Sequence, residues 1–268
     1  MIIQFEKHFQ PEKYGIVGCV ICLANKARRS AAKTLGQIAQ HAATSGKGPG
    51  NLGETVANIR NKTRVGPTEL LDVCREISAE LDMLLRKKST LVVPETPCAF
   101  RWATADEARQ QPGIAFYHRF REFPRGVVVI PPNLPDDFCC RATLWCVVCH
   151  EARPGHEYDL NCGDQQEKSP AQLEGWAVYS LKKMRKHFSK DARLVAMQIF
   201  LLETAKCFLE VDLARGKLTR TAVLLYLTET VGISRDYAER TYRRMVETPG
   251  QGLCYYAGYD YFRNKYKN

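Results

Sequence analysis

A chain of 268 residues, 45% of them apolar, is long enough for one large domain or two small ones around a sizeable core. Its 39 Lys and Arg outnumber 29 Asp and Glu, giving a formal net charge of +10, and charged residues make up an ordinary 25%. No run of 18 or more apolar residues offers a membrane-spanning helix, so no membrane partner is expected.

Residues Met1 to Gln10 carry Glu6, Lys7 and His8 too early for the apolar core of an export signal, so a cytoplasmic location is expected. In that reducing compartment the eleven cysteines read as small buried hydrophobes, Cys19-Val20-Ile21-Cys22 included, not as a disulfide framework. Residues 14 to 42 read as one or two helices. Residues 43 to 53 are Gly-rich and read as a loop or linker. Pro67 to Lys87 reads as an amphipathic helix, with Leu70, Val73, Cys74, Ile77, Leu81 and Leu84 on one stripe and Pro67 in the first turn.

A short β-rich section follows, with strands expected at Leu91–Val93, Ile114–Phe120 and Gly126–Ile130. Beyond Pro131 the pattern is helical to the end. Ser169-Pro170-Ala171-Gln172 has the form of a capping box with proline at the first helical position. Residues 190 to 214 are apolar nearly all round, as a central buried helix would be. Thr219 to Thr230 reads as a helix ended near Gly232, and Ser234 as the cap of another that runs to Pro249.

The basic excess fits a solvated basic surface, or an acidic partner such as an acidic carrier protein. Its densest cluster, Lys182-Lys183-Met184-Arg185-Lys186, reads as the exposed end of a helix. No nucleic-acid-binding motif is visible, so nucleic acid is not an expected partner.

The chemistry-bearing stretch is Cys149-His150-Glu151-Ala152-Arg153-Pro154-Gly155-His156-Glu157, followed by Glu174-Gly175-Trp176-Ala177. Paired histidines beside a glutamate suit a zinc site, because neutral imidazoles hold the ion while the carboxylate handles protons. Histidines six apart lie roughly 240° around an ideal helix, so a straight helix cannot aim both at one ion. Pro154 removes a helical hydrogen bond and clashes with the His150 carbonyl, which predicts a kink or an end there. Gly155 then gives the freedom to swing His156 back. Glu174, early in the next helix, supplies a third ligand and leaves a fourth position open. Glu157, seven residues from His150, is a weaker rival ligand.

The HE-x-x-P-G-H and EGWA motifs together resemble the DUF885 family, related to the gluzincin metalloproteases. Glu69 to Ile77, Tyr117, Gly126 to Pro131, and Pro249-Gly250-Gln251 with Tyr255 and Gly258 extend the resemblance over roughly residues 60 to 262. It implies a mainly α, gluzincin-like metallohydrolase domain with a small β section over 61–268, preceded by an N-terminal helical segment and linker over 1–60. It implies one Zn2+ per chain on His150, His156 and Glu174, with Glu151 as general base. Tyr255 would donate to the oxyanion and Arg244 would hold a substrate carboxylate. The cleft would lie between the 140–157 helix, the 169–188 helix and the Tyr255 segment. The chain departs from the family at four positions. Ala214 stands where a histidine is expected, Glu157 where the second histidine of G-H-H is, and Leu181 where an acid follows EGWA. Glu210 replaces an aspartate. The substrate expected is a small amide or short peptide-like molecule.

Other readings remain open on the sequence. Cys146-Val147-Val148-Cys149-His150 has the form of a haem-attachment motif. Cys19, Cys22, Cys146 and Cys149 form two CxxC pairs, although 124 residues separate them. The intact metal triad also suits a biosynthetic zinc enzyme or a catalytically inactive metal-binding scaffold.

Overall fold

The computed structural model describes residues 9–44, 51–110, 113–120, 123–163 and 166–267. Most of the Gly-rich stretch, residues 45–50, lies outside them. The helices are α1 (Val20–Thr44), α2 (Leu52–Lys62), α3 (Leu70–Lys88), α4 (Ala105–Gln110), α5 (Arg141–Glu151) and α6 (His156–Cys162). They continue with α7 (Pro170–Met184), α8 (Lys190–Ala214), α9 (Arg220–Leu225), α10 (Arg235–Glu247) and α11 (Gln251–Lys265). Three strands, β1 (Ala99–Trp102), β2 (Phe116–Phe120) and β3 (Phe123–Ile130), make one sheet in the order β1-β3-β2. The protein is therefore mainly helical with a small sheet, as the sequence predicts.

The long helix α8 is the centre of the fold. It starts where Ser189 accepts from the Ala192 N–H, and Leu194, Val195, Leu201, Leu202, Cys207 and Leu209 are all buried. Buried helices of this kind show no polar face, which is what the sequence pattern here says. Helix α1 lies against it through Ala24, Ala27, Ala31, Thr34 and Ile38, small residues at three- and four-residue spacing that admit close approach. One continuous apolar cluster runs from Ile16 to Tyr259. Among the described residues, no helix is long and apolar enough to cross a membrane.

Helices α7 and α11 cross with their backbones in contact. A Cβ on Gly258 would meet the Ala171 carbonyl oxygen at 1.7 Å, and one on Gly175 would meet the Gly258 Cα at 2.2 Å. Only glycine at both positions permits this crossing, which brings Glu174 and Tyr255 to one cavity. The Ser169 capping box is formed in full: Ser169 Oγ accepts from the Gln172 N–H, and Gln172 Oε1 from the Ser169 N–H.

Three expectations are corrected. Helix α3 begins at Leu70, not at Pro67. Val65 N–H bonds the Cys139 carbonyl and Arg64 bridges Cys140, so the chain arrives extended and needs the turn that Glu69 N–H closes on Gly66 O. Leu91–Val93 is not a strand. The carbonyls of Pro94 and Thr96 just beyond it are taken by the Arg153 guanidinium, and Val92 is exposed. The true first strand, β1, pairs parallel to β3 with Ala99 opposite Val127 and Trp102 opposite Ile130. The cysteine reading holds for Cys74, Cys98, Cys140, Cys146, Cys149, Cys207 and Cys254, which are buried, but Cys19, Cys22 and Cys162 are exposed.

Candidate metal centre

The site begins where α5 stops. Ala152 N–H makes the last bond of that helix, to Val148 O, and Ala152 then leaves helical geometry at φ −94°, ψ −109°. Pro154 has no N–H to continue the ladder. Gly155, at φ −76° and ψ −134°, opens α6, and His156 is its first residue. The expected break is thus a complete stop and restart. A Cβ on Gly155 would fall 1.7 Å from the His150 carbonyl oxygen and 2.6 Å from that of Cys149. Those neighbours are backbone atoms and cannot swing aside. Gly155→Ala is therefore expected to cost about 2–4 kcal/mol of stability and to push His156 off its position. Metal titration of the purified variant, with circular dichroism as the fold control, checks this.

The restart turns the two imidazoles towards each other. Their ring centroids are 4.8 Å apart and nearly perpendicular, at 88°. Both point at Glu174 on α7: His150 Nε2 lies 3.3 Å from Glu174 Oε2, and His156 Nε2 lies 3.5 Å from the same oxygen. Glu151 is the second carboxylate here. Its donor atom and those of His150 and His156 all lie within 4.8 Å of one another. Trp176 Nε1 donates to the Pro154 carbonyl at 2.7 Å and ties the turn to α7.

Burial opposes charge on Glu151, His156 and Glu174, and the contacts decide the outcome. His150 and His156 outweigh burial at Glu174 and hold its carboxyl well below the usual carboxylate range. Burial lowers His156, but its bond to Glu174 and the charges of Glu174, Glu151 and Asp159 together outweigh burial and push it up to about 9. At Glu151 burial wins: its carboxyl is raised, despite the two histidines, with Glu174 adding to the rise.

Glu157 is removed as a rival ligand. Its buried carboxylate accepts from Arg153 Nε at 2.7 Å, Arg153 Nη2 at 3.1 Å and Arg125 Nε at 3.2 Å. Arg153 is itself fully buried and also reaches Asp82 Oδ2 at 2.7 Å and Thr96 O at 2.7 Å. This ion network involves Arg153 in the turn between α5 and α6 and Glu157 just after it, so it fixes where α6 begins.

The cluster opens on a cavity of about 410 Å³. Helices α5 and α7 form one wall, and α8, α10 and the start of α11 form the other. The sequence-predicted Tyr255 and Arg244 both line it. Burial, aided by the charges of Glu174 and Glu203, raises the Tyr255 phenol well above its ordinary value, so it stays an O–H donor at neutral pH. Arg244 Nε donates to Gln251 Oε1 at 3.1 Å.

Sequence reasoning missed the α8 wall. Lys206 sits 3.6 Å above the Tyr255 ring centroid and pairs with Glu203, and Glu210 lies one turn on. Their spacing of three and four on a helix otherwise apolar all round was the available signal. Ala214 is the last residue of α8, beyond that wall, and Leu181 is a buried lining residue. Among the described residues, ligand-type side chains gather at ligand spacing around His150, Glu151 and His156, with Glu174 against both imidazoles, and not around the cysteines, so the four-cysteine reading is not assembled.

Glu210 accepts from the Gly250 and Gly252 N–H groups at 3.0 Å each, anchoring the start of α11. Burial nonetheless pushes its carboxyl up to about 8, against those bonds and the charges of Lys206 and Arg244. A carboxyl raised in the fold stabilises most below its unfolded value of about 4.5, and that contribution is lost as pH rises through about 8. Wild-type stability relative to Glu210→Gln is therefore expected to fall by on the order of 2–4 kcal/mol between pH 5 and 8.5. Denaturant unfolding of both proteins across that range measures it.

The family model described as "Bacterial protein of unknown function (DUF885)" matches residues 23–265. Two solved structures share the fold. One, provisionally called a lipoprotein of unknown function, from Shewanella oneidensis, gives a TM-score of 0.76 at 18% identity, over 95% of this chain and 52% of that one. The other, provisionally called a lipoprotein, from Colwellia psychrerythraea, gives 0.77 at 17% identity, over 98% of this chain and 49% of that one. The chain thus spans about half the length of these proteins. A comparison with curated proteins found no match.

Proposed function

The chain belongs to the DUF885 family, and we propose that it is a gluzincin-like hydrolase that holds one zinc ion on His150, His156 and Glu174 and cleaves an amide or short peptide-like substrate. The observation that carries this reading is the approach of both imidazole Nε2 atoms to one Glu174 oxygen, at 3.3 and 3.5 Å. Two imidazoles and a carboxylate are a donor set that suits catalytic zinc and leaves a position free for water. The same donors also accept cobalt, manganese or iron.

When bound, the ion would supply Lewis acidity, lowering the pKa of water and polarising a carbonyl. The chain's own groups do the rest. Glu151 takes the proton from the attacking water and returns it to the leaving nitrogen. Its burial favours this role, because a carboxyl raised towards neutrality exchanges protons more readily at neutral pH. Tyr255 donates its neutral O–H to the oxygen on which charge develops. Arg244, on the cavity lining, offers a planar fork to a substrate carboxylate.

A panel of short peptides, each with a free and an amidated C-terminus, tests the reading. Turnover by the zinc-loaded protein, with the free-carboxylate forms preferred, is the expected result. No turnover of any of them by a stoichiometrically zinc-loaded protein would refute peptide hydrolysis.

A further inference from the structure

We propose that Cys19 and Cys22 form a dithiol site that reduces low-molecular-weight disulfides and closes an intramolecular disulfide of its own. The site is separate from the metal centre and does not rest on the reading of it.

Both thiols are exposed, while the cysteines on α3, α5, α8 and α11 are buried. Cys19 stands immediately before α1, and its carbonyl accepts the first helical bond, from Leu23 N–H at 3.0 Å. Its sulfur occupies the place of a capping oxygen: Cys22 N–H donates to Cys19 Sγ at 3.2 Å. The three-residue spacing therefore returns the Cys22 side chain over the same first turn as Cys19. A sulfur that already accepts a backbone N–H at the positive end of a 25-residue helix is placed to become the thiolate. The Cys22 thiol first, and the backbone N–H next, hold the Cys19 thiol below its ordinary range, while Cys22 is pushed up by its hydrogen bond to Cys19. That asymmetry distinguishes an attacking thiol from a resolving one. Val17 and Ile21 beside the pair are also exposed, so access is unhindered by the described residues.

The step balances without an outside reagent beyond the disulfide. The Cys19 thiolate attacks one sulfur of RS–SR, forming a Cys19–SR mixed disulfide and releasing RS⁻. Cys22 then loses its proton to solvent, and its thiolate attacks Cys19 Sγ, forming the Cys19–Cys22 bond and releasing the second RS⁻. Two protein thiols are oxidised, and one disulfide is reduced to two thiols.

The full chain, reduced and then equilibrated in buffers of reduced and oxidised glutathione, is quenched with acid, alkylated and mapped by peptide mass. The peptide holding Cys19 and Cys22 is expected to pass from two alkylated thiols to one internal disulfide as the oxidised share rises. In Cys22→Ser the reaction should stop as a glutathione adduct on Cys19. That adduct should form at least about tenfold faster than the adduct on Cys22 in Cys19→Ser, or on exposed Cys162 in either variant. If the pair stays reduced across the buffers, or if Cys19, Cys22 and Cys162 acquire adducts at equal rates with no internal disulfide, the proposal is overturned. Both variants alter exposed positions, so folding does not confound the comparison.

Discussion

Glu151→Gln should lower kcat on any substrate the protein turns over by about 10²–10⁴-fold, while metal binding persists. The two carboxylates beside the histidines differ in what they touch. Glu174 Oε2 lies within 3.5 Å of both imidazole nitrogens, whereas Glu151 is the last residue of α5 and sits beside them, its carboxyl raised by burial. The amide keeps the size of the side chain and removes its ability to take a proton. If Glu174 is the ligand and Glu151 the base, the substitution separates binding from turnover. Steady-state kinetics with metal content measured on the same sample decides it. Loss of metal in Glu151→Gln would instead make Glu151 the ligand, and unchanged kcat would remove it from the chemistry.

The second large effect is expected away from the cavity. Arg153→Met should destabilise the protein by about 3–5 kcal/mol, because it leaves a buried carboxylate without its main partner. Arg153 and Glu157 are both 1% exposed, and the pair is joined by bonds of 2.7 and 3.1 Å. Asp82 loses a 2.7 Å bond in the same step. Adding Glu157→Gln to Arg153→Met should recover part of the loss, since an unpaired amide is far less costly to bury than an unpaired charge. Urea unfolding of the single and double variants gives the comparison. A single variant within about 0.5 kcal/mol of wild type would mean the network does not hold the turn.

The meeting of His150, His156 and Glu174 was legible in the sequence because their arrangement has local causes. Pro154 must break α5, Gly155 must sit against the His150 carbonyl, and Ser169 must start α7 a fixed distance before Glu174. Each follows from backbone geometry within a few residues. The central helix α8 was equally legible, from an apolar pattern with no polar face. What escaped depends on contacts between distant segments. The first strand lies at Ala99–Trp102 because β3 pairs with it, and Leu91–Val93 stays irregular because Arg153, some 60 positions on, takes the carbonyls of Pro94 and Thr96. The sequence leaves Glu157 as a weaker rival ligand, and only the fold brings Arg125 and Arg153 to it. Lys206 joins the cavity only through the packing of α8 on α11; its spacing from Glu203 and Glu210 marks a polar stripe on an apolar helix but not what that stripe faces. The exposure of Cys19 and Cys22 is likewise a consequence of where α1 begins on the surface, not of the apolar residues between them.

The central claim is that His150, His156 and Glu174 together hold one metal ion. Plasma mass spectrometry on the purified chain, beside His150→Ala, His156→Ala and Glu174→Ala, tests it most directly. The expected result is about one zinc per chain in the wild type after zinc loading and dialysis, falling to under about a tenth in each variant while circular dichroism stays unchanged. A wild-type chain that takes up no metal, or variants that keep it, would contradict the account.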